Sequence, residues 1–295
     1  MANQSLFLLK VLWITFMAFW LVVFAAVLLD PSITTTSTAF GLDPYASTIF
    51  AASLGILVYM EVKLALRYKA RKSTIVAILW FTFLAFSFTI GFSLVAELYV
   101  AAPFIPIVNN FLNRTIFVFT LLGFFNLVFF IIEVFEGGLH YPYVPASQAR
   151  PEFVRVWITV LSSFGLICIF MYYLVRSIWV DLDATELIIQ TLPVLVIALV
   201  DMFALLVQPF KLIHRVPDAH EKAGFIALFL AGISFVCFIV FFIVHTVSVS
   251  GHPYYEQYHM RGIMYYLAMS FVVFVCILFY LGIVYPMKKK EHASA

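Results

Sequence analysis

The sequence predicts an all-α integral membrane protein, a bundle of eight transmembrane helices with both termini cytoplasmic. Three observations predict it. The composition is 64% hydrophobic and 11% charged, far from the roughly 25% charged residues of soluble domains, and so much apolar surface needs lipid to cover it. Eight apolar segments follow one another, at residues 6–29, 45–66, 74–100, 108–134, 153–178, 185–212, 222–249 and 261–286. Each holds the ~20 mostly apolar residues that cross a hydrocarbon core about 30 Å thick. The 17 Lys and Arg residues also sort by side. With a cytoplasmic N-terminus, Lys10, Lys63, Arg67, Lys69, Arg71, Lys72, Arg150, Arg155, Lys211, Arg215, Lys222, Lys288, Lys289 and Lys290 fall inside. Only Arg114, Arg176 and Arg261 fall outside, a bias that sets orientation through the positive-inside rule.

In the first segment, Lys10 followed by an apolar run resembles a signal peptide. The run from Val11 to Leu29 is longer than the usual ~7–15 residues of such a core, and no small-x-small site follows closely. It reads as a retained helix, which makes the span count even and places the Lys288–Lys290 cluster inside, followed by a disordered tail at 291–295. The outer connections are 30–44, 101–107, 179–184 and 250–260, and the inner ones 67–73, 135–152 and 213–221. Tyr45, Tyr68, Tyr99, Tyr141, Tyr143, Trp179, Tyr254, Tyr255, Tyr258 and Tyr285 cluster near the segment ends. Amphipathic rings prefer headgroup depth, so this belt supports the same boundaries. The 34 Phe residues read as lipid-facing or interhelical filler.

The chain reads as one polytopic domain over 1–295 whose four-span halves, 1–143 and 152–290, carry a weak internal correspondence. Glu61 and Asp201 occupy equivalent positions in segments two and six, as do Glu97 and His245 in segments three and seven. Repeats an even number of spans long are parallel, an arrangement known in transporters. The inner loop 135–152 has a glycine pair and three prolines, the signature of a structured turn. In the loop 209–222, His214 and His220 lie six apart across a proline, which is not metal-ligand spacing, and they read as exposed loop residues.

The informative residues of a membrane protein are the polar ones at hydrocarbon depth. Asp201 lies 16 residues into its segment and ten before Lys211. An ionised Asp at a helix centre costs about 2.5–3.5 kcal/mol on the insertion scale, so it must face protein or water, or hold a proton. Gln190, Asp201 and Gln208, separated by 11 and 7, share one helix face. Pro193 in the same segment removes a backbone hydrogen bond and is expected to kink it. One reading is a polar track with a protonatable or cation-coordinating acid. The other is an interhelical hydrogen bond that holds the bundle together, worth about 0.6–2 kcal/mol. Asn126, seven before Glu133 in segment four, is a candidate partner for Asp201. Glu61 sits toward the inner end of its segment and reads as a structural ion pair with Lys63. His245 and Glu97, toward the outer ends of their segments, form a candidate gate or proton sensor.

Several chemistries are missing. No two histidines share mid-membrane depth, which argues against a bis-His haem. There is no HExxH or His box, no P-loop, and no deep Lys in the last spans to form a retinal Schiff base. Neither a metal nor a cofactor is expected. Cys168, Cys237 and Cys276 fall near the middle of spans without CxxC spacing and read as packing residues. Asn113-Arg114-Thr115 matches a glycosylation sequon at the mouth of segment four, too near the bilayer for use. With the basic residues committed to topology, nucleic acid is not an expected partner. The lipid bilayer is, along with partner subunits or further copies of the chain. Three functions fit: secondary transport or ion/proton permeation through the sixth segment, a non-catalytic subunit of a larger complex (quinone-facing among the options), and a receptor or sensor without a soluble domain. The first accounts for most of the polar residues.

Overall fold

The computed structural model describes residues 43–71, 74–100, 106–131, 171–179, 184–249 and 262–284, with a few positions between 14 and 25. Every regular element among them is helical: α1 (Pro44–Arg71), α2 (Thr74–Val100), α3 (Pro106–Ile131), α4 (Ala184–Ile213), α5 (Ala219–Val249) and α6 (Ile263–Phe279), followed by a π-helical turn at Tyr280–Val284. Among the described residues, six helices are long and apolar enough to cross a membrane. The expected segments 6–29 and 153–178 lie largely outside the described residues, as does the loop 135–152.

The helix bounds follow from local chemistry. Asp43 precedes Pro44, and its Oδ1 accepts from the backbone N–H of Tyr45 at 3.0 Å and of Ala46 at 3.1 Å. An Asp N-cap followed by a proline, whose φ is already helical, is a strong start. At the other end α1 runs on through the basic residues to Arg71, so the inner connection is shorter than the expected 67–73. Long basic side chains keep their heads at the interface while the backbone stays helical, so a positive cluster need not be a loop. α4 continues without interruption through Pro193. Between α4 and α5 the chain turns tightly, with Arg215 and Val216 both donating to the Leu212 carbonyl.

The chain forms two compact units, one of residues 1–42 and 61–201, the other of 43–60 and 202–295. In the first, α2 and α3 run antiparallel and pack through aromatic rings. Phe119 stacks on Phe88 at 4.8 Å and on Phe92 at 5.7 Å, and Phe124 meets Phe86 edge-on at 5.5 Å. Gly123 makes room for this, since a Cβ there would lie 2.7 Å from the Phe86 ring. In the second, α5 packs on α6 and the π turn, with Phe241 stacked on Phe271 at 5.7 Å. The π turn, unannounced by hydropathy, brings Gly282 so close to α5 that a Cβ would lie 3.0 Å from the Gly224 carbonyl and 2.8 Å from Leu228. Outward faces carry Val240, Ile243, Val244 and Val247 on α5, as lipid-facing helices require.

Candidate functional site in the membrane-embedded polar residues

α4 has one buried stripe and one exposed face. Ile197, Ala198, Asp201 and Leu205 are buried at three- and four-residue spacing, while Val196, Val200, Phe203, Val207 and Phe210 are exposed. Asp201 therefore points away from lipid. Its residue is 0% exposed, and among the described residues neither carboxylate oxygen has a hydrogen-bond partner. A buried polar group without a partner is rare, because leaving it unpaired forfeits the whole of its hydration. Gln190 lies in the same helix, with its side chain outside the described ones, and Gln208 is half-buried.

Asn126 on α3 is fully buried too. Its Nδ2 donates to the Phe81 carbonyl on α2 at 3.3 Å, while its Oδ1 has no partner among the described residues. Asn126 and Asp201 are therefore not hydrogen-bonded to each other. Among the described residues of the first unit, three buried oxygens, one on Asn126 and two on Asp201, have no hydrogen-bond donor.

Glu61 has a neighbour that sequence reasoning missed. The hydroxyl of Ser87 on α2 donates to Glu61 Oε1. Ser87 is the middle residue of α2, so the Glu61 carboxyl reaches the centre of the neighbouring helix rather than its inner end. The available signal was a serine at the centre of the segment, one of several hydroxyl residues along it with Thr82, Thr89 and Ser93. Lys63 is half-buried on α1. Further along α2, Thr89 meets Thr120 of α3 at 3.4 Å.

Glu97 and His245 belong to different units, and both are buried. Around His245 the second unit gathers rings and one acid. The His245 ring lies 5.1 Å from Tyr265, Tyr265 lies 5.9 Å from Tyr266, and the Tyr266 hydroxyl donates to Asp43 Oδ2 at 2.9 Å. Asp43 thus caps α1 with one oxygen and ties it to α6 with the other, a role hydropathy alone does not show. His214, in the turn after α4, is exposed, with Nδ1 3.1 Å from the Phe210 carbonyl. Cys237 and Cys276 are free thiols, Cys276 buried, and Cys168 lies outside the described residues. Among the described residues no cluster of His, Cys, Asp and Glu has the makings of a metal site. Compared with known proteins, the chain matches no family model, no curated protein and no solved structure.

Proposed function

We propose that this multi-pass membrane protein carries out secondary transport or ion/proton permeation, with Asp201 as the coupling carboxylate. One observation carries the reading: Asp201 is fully buried near the middle of an apolar helix, yet among the described residues its oxygens have no hydrogen-bond partner. A carboxyl kept to hold helices together would be hydrogen-bonded across an interface. An acid that exchanges a proton or cation needs oxygens that no fixed donor occupies. Intramembrane acids of this kind mark ion pathways and proton relays. Asn126, with its open Oδ1, and Gln190 and Gln208, by their spacing along α4, are the proposed lining of the path. His245 and Glu97, which belong to different units, are each proposed as a titratable proton sensor within its own unit.

The test is flux in proteoliposomes that enclose a pH-sensitive dye, driven by a proton gradient and then by Na⁺ or K⁺ gradients. Asp201→Asn is expected to lower the flux about ten-fold or more, the effect of losing roughly 1.4 kcal/mol at the rate-limiting barrier. Equal flux in wild type and variant removes Asp201 from the mechanism. No flux above empty liposomes, with stoichiometric partner subunits on purification, favours a subunit of a larger complex. Saturable ligand binding without flux favours a receptor.

A further inference from the structure

Among the described serine and threonine side chains of α1 and α2, one departs from a common habit. Ser53, Thr82, Thr89 and Ser93 each donate back to the carbonyl four residues earlier in their own helix, at 2.8, 2.9, 3.1 and 2.9 Å. That is the ordinary way a hydroxyl is satisfied in a membrane helix. Ser87 instead turns its hydroxyl across to Glu61. Ser87 is buried and Glu61 half-buried, so one carboxyl oxygen is held by the serine while the group keeps an opening to its surroundings. An ionised group at that depth costs about 2.5–3.5 kcal/mol on the insertion scale, more than one neutral hydrogen bond returns. The serine has used its donor, but its oxygen keeps lone pairs beside the carboxylate. Carboxylate and hydroxyl oxygens side by side are hard ligands, suited to a proton or an alkali ion.

We propose that Glu61 and Ser87 form a second intramembrane site, one that binds an exchangeable monovalent cation, either a proton or an alkali ion. Its place on a permeation path rests on the reading of Asp201; the binding itself does not. The charged groups around it are few. Its own helix carries Lys63, Arg67, Lys69 and Arg71, and α2 carries one charged residue, Glu97, more than two turns from Ser87.

The experiment uses the full chain in liposomes and dicyclohexylcarbodiimide, a hydrophobic reagent that modifies protonated carboxyls, with the adduct located by peptide mass spectrometry. An adduct at Glu61 is expected, absent in Glu61→Gln. Its formation is expected to slow several-fold either as the pH is raised, which identifies a proton site, or when Na⁺ or K⁺ replaces choline at fixed pH, which identifies an alkali-ion site. No adduct, or a rate indifferent to pH and to both ions, overturns the proposal. Asp201→Asn is expected to keep the Glu61 adduct, so failure of the Asp201 flux test leaves this site standing, and failure here leaves Asp201 untouched.

Discussion

Two residues show how burial decides between a motif and its use. Thr115 completes the sequon Asn113-Arg114-Thr115, but it is 0% exposed and its hydroxyl donates to the Phe111 carbonyl at 2.8 Å. A glycosylating enzyme needs this segment extended, and here it lies inside α3. Expression in glycosylating cells of a Ser5→Ala variant, which removes the other such match at Asn3-Gln4-Ser5, is therefore expected to yield chain whose gel mobility does not change with endoglycosidase. Asp201 poses the opposite question, because among the described residues no hydrogen bond offsets its burial. Removing an unpaired buried polar group in favour of an apolar one relieves a desolvation cost of about 1–3 kcal/mol. Asp201→Leu is thus expected to unfold in detergent at or above the wild-type temperature while losing flux. A sharply lowered unfolding temperature would mean that the carboxyl holds the structure together after all.

Among the elements, the α2–α3 pair is the most completely specified. Its interface is a ladder of rings that closes only because Gly123 lets Phe86 approach. Gly123→Val would push two methyls into that ring, and overpacking of this kind costs about 1–3 kcal/mol. The expected result is a lower unfolding temperature, with partial recovery when Phe86→Leu is added; an unchanged temperature would show the ladder to be loose. The existence of these helices was legible from hydropathy, and their ends came within a few residues because Pro44, Pro106 and the basic clusters mark them. What hydropathy could not show was which side chains meet. Ser87 and Glu61 come from segments whose relative register no one-dimensional pattern encodes, and the π turn at Tyr280–Val284 depends on close approach to Gly224. Asp201 was legible as an anomaly from its position alone. That its oxygens have no hydrogen-bond partner among the described residues required the fold.

For the molecule as a whole, orientation is the property that hydropathy leaves open and charge decides. The second unit makes the asymmetry concrete. Asp43, His245, Tyr265 and Tyr266 gather the start of α1, the end of α5 and the start of α6 at one pole, where the described residues include no Lys or Arg. The opposite pole, at the α4–α5 turn, carries Lys211, Arg215 and Lys222. Basic residues in short loops are retained on the cytoplasmic side during insertion. The α4–α5 turn is therefore expected to be cytoplasmic and the Asp43 pole external. Arg215 is exposed, so Arg215→Cys can be probed with a membrane-impermeant maleimide alongside Thr35→Cys in the expected outer connection. In intact cells Thr35→Cys is expected to react and Arg215→Cys to react only after permeabilisation. The reverse pattern would invert the protein, and with it the side from which the proposed function has an ion reach Asp201; labelling of both in intact cells would place the two loops on one face and break the even span count.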